Sequence, residues 1–149
     1  MITWNWYEFE ELTSLALYSI LALRQEVFIR EQRCFYPDID YKDQQAIHLL
    51  GMENNHLIAY LRFLPKGIVY QDAASMGRFC IATNHRGIGL GQLMMQKMLT
   101  YLDQYYSKDT LLIIAQLYLQ PFYERFGFHV NGDAFDDEGI MHINMRRDH

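Results

Sequence analysis

The feature that most constrains this chain is the turn Arg86-Gly87-Ile88-Gly89-Leu90-Gly91, set between a strand-like run and an amphipathic helix. At a glycine frequency of about 7%, the spacing G-x-G-x-G arises in roughly one chain in twenty of this size, so spacing alone says little. The neighbours supply the constraint. Arg78-Phe79-Cys80-Ile81-Ala82 runs into the turn as an extended segment, and Leu90, Met94, Met98, Tyr101, Leu102 and Tyr105 recur at helical spacing beyond it. Such a strand–turn–helix aims unpaired backbone N–H groups at one point, on the positive end of the helix dipole. Glycine permits the curl and the close approach of a bulky anion. Arg86 adds a guanidinium suited to bidentate phosphate contact. A diphosphate is the natural guest.

Two other phosphate loops fit poorly. A P-loop needs Gly-Lys followed by Ser or Thr, whereas Gly91 precedes Gln92. The dinucleotide fingerprint needs its third glycine where Gln92 stands, and it belongs to the first strand–helix unit of a parallel sheet. This turn lies past mid-chain.

The remaining pattern is α/β. Ile2 to Phe9 reads as a strand, and Leu12, Leu15, Ala16, Ser19, Leu23 and Val27 mark one face of a helix. A polar stretch from Gln32 to Gln45 follows. Strands at Ala46 to Glu53 and Leu57 to Leu64 flank the turn Asn54-Asn55-His56, and Ala74 to Ala82 reads as a third strand. Leu111 to Ala115 is wholly apolar, as a strand buried on both faces would be. A short helix through Pro121 to Phe126, a turn at Gly127, and strands at Phe128 to Val130 and Ile140 to Met145 complete the chain. No repeat or linker divides it, so residues 1–149 read as one domain.

The 149 residues carry a net charge of −5, which argues against a nucleic-acid partner and leaves an anionic ligand to be held by local groups. The apolar stretches Leu15 to Leu23 and Leu111 to Ala115 are too short to span a bilayer, and the N-terminus has no basic signal region. No membrane partner and a cytoplasmic setting are the expectation. Cys34 and Cys80 fit no metal-ligand spacing, so no metal is expected; a reduced, buried thiol is the plain reading of Cys80.

With these residues in view, the sequence resembles the GNAT superfamily of acyltransferases. The coenzyme A motif Arg/Gln-x-x-Gly-x-Gly/Ala of that superfamily is matched by Arg86, Gly89 and Gly91, and Pro121-Phe122-Tyr123-Glu124-Arg125-Phe126-Gly127-Phe128 resembles its F-Y-x-x-x-G-F segment. The N-terminal half is similar to the ElaA-type branch through Leu23-Arg24, Val27-Phe28, Glu31-Gln32, Cys34, Tyr36, Asp38, Asp40, Asp43 and His48-Leu49.

The resemblance implies a central mixed, largely antiparallel sheet of six to seven strands flanked by helices, with two central strands splayed apart. It implies acetyl-CoA as co-substrate and an amine, small molecule or peptide, as acceptor. Carried over, the backbone of Phe79, Cys80 and Ile81 would meet the pantetheine arm, and Arg86, Gly87, Ile88, Gly89, Leu90, Gly91 and Gln92 the pyrophosphate. Tyr123 matches the tyrosine that hydrogen-bonds the coenzyme sulfur and protonates the leaving thiolate, and Gln116 stands where many members carry an Asn.

A lysine-like amine, with a pKa of about 10.4, needs a base before it can attack. Many relatives place a glutamate on the fourth strand, but Ser75-Met76-Gly77-Arg78 supplies none. Candidates shift to Glu31, Asp40, Asp43 and His48. His48 equally suits a structural histidine in the sheet, and Glu31 equally suits a cap or a pair with Arg24. Asp133, Asp136, Asp137 and Glu138 fit either a surface loop or an attractor for a cationic amine. Two other functions stay open: a non-catalytic acyl-CoA sensor, and an acyl-homoserine-lactone synthase, which Arg24, Phe28 and Glu31 suggest. A homodimer is an option that the sequence does not decide.

Overall fold

Four strands pair antiparallel in order: β1 (Thr3–Glu8), at the edge, β2 (Ile47–Glu53) and β3 (His56–Leu64), whose runs of buried residues mark strands covered on both faces, and β4 (Ala74–Ile81). The structure, a computed structural model, describes residues 1–149. The β2–β3 hairpin turns through Asn54 (φ 51°) and Asn55 (φ 64°), two residues that tolerate the left-handed conformation a tight hairpin demands. β5 (Leu111–Gln116) lies parallel to β4, and β8 (Ile140–Arg147) runs antiparallel to β5. β6 (His129–Val130) and β7 (Phe135–Asp137) both pair with β8. The sheet therefore has eight strands, in the order β1-β2-β3-β4-β5-β8-β6 with β7 also on β8. That is more than the six to seven expected. The additional strand β7 lies inside the acidic segment that composition alone suggests is a loop.

Three helices flank the sheet. α2 (Leu90–Tyr105) buries Met94, Met95, Met98 and Leu102 against Leu61, Phe63, Met76, Leu111, Ile113 and Met145. The other face is covered by α1 (Ser14–Arg24), whose Thr13 side chain caps it by accepting the Ala16 N–H at 3.0 Å. There Ile20 and Val27 pack with Leu50, Tyr60 and Cys80. α3 (Gln120–Glu124) is short and carries Pro121 in its first turn.

Two features of the first helix differ from the apolar periodicity. It continues from Gln25 to Glu31 as a π-helix, and Leu15 points to solvent, 75% exposed. The inward positions are Ile20, Arg24 and Val27, with Arg24 wholly buried. A charge occupies a core position because Asp38 and Asp43 are brought to meet it.

The geometry that makes a site is the parting of β4 from β5. They pair only at Ala74–Leu111 and Ser75–Leu112, and the rest of β4 has no partner on that side. In the same stretch the β3–β4 register slips, so that Arg78 and Phe79 oppose the single residue Leu61. Arg78 takes φ 52°, a conformation that costs a non-glycine residue about 1–3 kcal/mol.

Candidate active site

A cavity of about 600 Å³ opens where β4 and β5 diverge. Its walls include Gly77 to Ile81 of β4, Ile113 to Gln116 of β5, and Phe122 and Tyr123 of α3. The glycine turn forms one mouth. Gly87 (φ 80°) and Gly89 (φ 86°) adopt the left-handed conformation, and Gly89 is the N-cap of α2 without a side chain to cap it. The first intrahelical bond runs from Leu93 N–H to Gly89 C=O at 3.1 Å. The N–H groups of Leu90, Gly91 and Gln92 are left for an outside acceptor. Ile88 is exposed, while the Leu90 side chain anchors the turn in the core.

Arg86 stands at this mouth but is engaged. Its Nη1 and Nη2 lie 2.5 and 2.8 Å from the two Glu31 carboxylate oxygens, and its Nε donates to the Ile81 carbonyl at 3.1 Å. Glu31 therefore pairs with Arg86, not with Arg24. The Arg86 hydrogen bonds hold the Glu31 carboxyl below the usual carboxylate range, against a smaller opposing effect of burial. Next to it, the Gln32 side chain accepts the Gln116 amide N–H at 2.9 Å. Glu31 and Gln32, at the end of the π-helix, thus reach both arms of the splay.

The carboxylates Asp38, Asp40 and Asp43 form a largely buried lattice with Arg24, Arg62 and Arg78. Arg24 donates from Nε to Asp38 at 3.0 Å and from Nη1 to Asp43 at 2.8 Å. Arg62 donates from Nη1 to both Asp43 and Asp40 at 2.8 Å, and from Nη2 to Asp40 at 2.5 Å. Arg78 brings its Nε to 2.8 Å from Asp38 with the N–H off the line, so the contact is electrostatic and not a hydrogen bond. Burial pushes the Asp40 carboxyl up, but the Arg62 hydrogen bonds and charge, helped by Arg78, bring it well below the usual range. Three cations matched to three anions make a charge-balanced structural block, in which Asp38 Oδ1, Arg62 Nε and Arg78 Nε lack a hydrogen-bond partner and the ion-paired Asp40 is a poor proton acceptor.

His48 belongs to the same block. Its Nε2–H donates to the Asp43 carbonyl at 2.9 Å, and its Nδ1 accepts from the Tyr60 hydroxyl at 2.6 Å. A carbonyl can only accept, which fixes this tautomer. Burial lowers the His48 pKa, and the ring is fully shielded. The structure does not bring His48 or Asp43 to the cavity wall, whereas Glu31 and Asp40 do line it.

Tyr123 lies under the cavity, 6% exposed, and burial pushes its hydroxyl above the usual tyrosine range. Cys80 is buried, and its thiol is pushed up to about 12 by that burial. Phe79 packs edge-on against Phe122 at 6.1 Å, and both line the cavity. His142 is a lining residue that no sequence motif singles out. His142 sits opposite Gln116 in the β5–β8 register, with Nδ1 2.7 Å from the Ile140 carbonyl. The signal was present: Ile143 and Met145 alternate inward, which turns His142 and Asn144 to the other face. Asp137 and Glu138, from the β7–β8 hairpin, line the same end.

Residues 20–149 match the acetyltransferase (GNAT) domain family. A UPF0039 protein of Synechocystis sp. is 39% identical over 145 residues, 97% of this chain and 94% of that protein. Escherichia coli Protein ElaA is 36% identical over 150 residues, 99% of this chain and 97% of its own length. Its crystal structure superposes with a TM-score of 0.93 at 35% identity, covering 99% of this chain and 100% of that one. An acyl-CoA N-acyltransferase from Pseudomonas aeruginosa superposes with a TM-score of 0.94 at 32% identity, covering 99% of both chains. Splayed strands, an uncapped glycine turn and full-length similarity agree: the chain belongs to the GNAT acetyltransferase family, as an ElaA-like member.

Proposed function

We propose that the protein transfers an acetyl group from acetyl-CoA to a primary amine by direct attack in a ternary complex. One observation carries this reading: β4 loses its partner after Ser75 and ends in a turn whose helix N-terminus has no cap. An open strand edge and a cluster of free N–H groups, a strand's length apart, suit a pantetheine amide chain and a pyrophosphate. The main-chain groups of Phe79 and the Ile81 N–H, which the β3–β4 register turns to the open edge, would pair with the pantetheine, and Leu90, Gly91 and Gln92 would donate to phosphate oxygens. The Ile81 carbonyl and the Arg86 guanidinium bond each other, so both become available to the coenzyme only when Arg86 turns.

In the reaction a C–N bond forms and the C–S bond breaks. Of the two protons that leave the ammonium nitrogen, one ends on the coenzyme sulfur and one in solvent. A β4 N–H beside the thioester oxygen would stabilise its developing charge, an effect of about two to three orders of magnitude per donor. Tyr123 would hydrogen-bond the departing sulfur. A thiol has a pKa of about 8.5, below the raised Tyr123 hydroxyl, so the tyrosine surrenders its proton only as another replaces it. A covalent acyl-cysteine is disfavoured, because burial raises both Cys34 and Cys80 away from the thiolate form. Two unpaired, buried cysteines also support a reducing, cytoplasmic setting.

The test is calorimetric titration with acetyl-CoA, followed by a screen of amines, polyamines, amino acids and peptides for release of free thiol. Tight binding with turnover supports the reading. Binding without turnover for any acceptor supports an acyl-CoA sensor, and no binding rejects both.

A further inference from the structure

We propose that His142 is the base that takes the proton from the acceptor amine, an inference that rests on the acetyl-transfer reading above. Four observations carry it. First, the carboxylates that line the cavity near β4 are engaged: Glu31 by the Arg86 fork and Asp40 by Arg62 and Arg78. A base must take up a proton readily, and a carboxylate whose charge is stabilised by a paired guanidinium does so poorly. Second, His48 is sealed away from the cavity with both ring nitrogens bonded.

Third, His142 lines the cavity and its tautomer is set. Nδ1 lies 2.7 Å from the Ile140 carbonyl, which can only accept, so the neutral ring carries its proton on Nδ1 and leaves the Nε2 lone pair open. The ring stacks on Phe135 with centroids 6.0 Å apart and planes at 27°, which limits its rotation. Fourth, its place in the sheet is the end of the splay. His142 is the register partner of Gln116, the last residue of β5, beside the turn that leads to Tyr123. Acid and base would then approach the reacting carbon from neighbouring elements.

The groups that share this end of the cavity fit the role. Asp137 and Glu138 line it from the β7–β8 hairpin next to His142, and the same cavity is lined by Glu31 and Cys34 from the π-helix and the segment after it and by Tyr118 and Tyr123 from beyond β5. The two hairpin carboxylates would draw a cationic amine and stabilise the imidazolium that forms. Ammonium gives one proton to His142 Nε2, the neutral nitrogen attacks, and the imidazolium passes its proton to solvent.

The experiment uses the full chain and its His142→Gln variant, which keeps a polar side chain and removes the titrating nitrogen. Calorimetry with acetyl-CoA comes first: equal affinity in both proteins separates this proposal from coenzyme binding. Thiol release is then measured with two probes at neutral pH, putrescine, which is fully protonated, and aminoacetonitrile, which is already neutral. The expected result is a fall in kcat of about 100-fold or more with putrescine, little change in KM, and a much smaller fall with aminoacetonitrile. Free imidazole should restore part of the lost rate. An equal fall with both amines, or no fall, overturns the assignment. So does acetyl-CoA binding without turnover of either amine by the unaltered protein, whereas failure to bind acetyl-CoA sinks the underlying reading instead.

Discussion

Replacing Glu31 with Gln should tighten coenzyme A binding, because Glu31 and the pyrophosphate compete for one guanidinium. The Glu31 oxygens lie 2.5 and 2.8 Å from the Arg86 fork, and both side chains are a little over one third exposed. A pair so exposed is worth about 0.2–1 kcal/mol. Releasing Arg86 from it should raise affinity by at most about fivefold. Arg86→Ala works in the opposite direction: a charge-assisted phosphate contact worth about 1.5–3 kcal/mol disappears. The pair that no longer has to be broken returns about 0.2–1 kcal/mol, leaving a net loss of about 0.5–2.8 kcal/mol, or roughly 2- to 100-fold weaker binding. A glutamate is ionised at neutral pH, and Arg86 holds the Glu31 carboxyl lower still, so the competition operates under ordinary assay conditions. Calorimetry with coenzyme A at low ionic strength measures both variants. Weaker binding by Glu31→Gln would refute the reasoning, since Glu31 would then be positioning Arg86 rather than occupying it.

Tyr123→Phe should lower kcat by about 10- to 100-fold with acetyl-CoA affinity unchanged, and equal turnover would remove its proposed role. Asp43→Ala leaves Arg24 and Arg62 without a shared partner, and should cost about 3–5 kcal/mol in urea unfolding. A midpoint within error of the parent would show that the remaining aspartates compensate. Stability should also fall with acid in two stages. His48 has a lowered folded pKa, so its contribution is complete above the unfolded value of about 6.5 and is lost as pH falls below it. Asp40, also lowered, holds its contribution above about 3.9 and loses it further down. Urea midpoints that do not change between pH 7.5 and 5.5 would contradict the first stage.

Where the chain spoke locally, the fold was legible. The glycine turn, the hairpin at Asn54 and Asn55, and the methionine face of α2 are each encoded within a few residues. What escaped was encoded at a distance. Arg24 occupies a core position on α1 because Asp38 and Asp43, 14 and 19 residues away, turn toward it, and apolar periodicity does not register a buried charge. Glu31 meets Arg86 across 55 residues, so the same two side chains read separately as a base and a phosphate ligand. β7 escaped because its acidic residues are two-thirds of a three-residue strand that exists only through pairing with β8. His142 lay in plain alternation, and only the open end of β5 opposite it gives that face a meaning.

The measurement closest to the central claim is a titration of isotope-labelled protein with acetyl-CoA followed by amide NMR. The largest shifts are expected at Phe79 and Ile81 on the open edge of β4 and at Leu90, Gly91 and Gln92, the three uncapped amides after the turn. Shifts centred elsewhere, with these five amides unmoved at saturation, would contradict it.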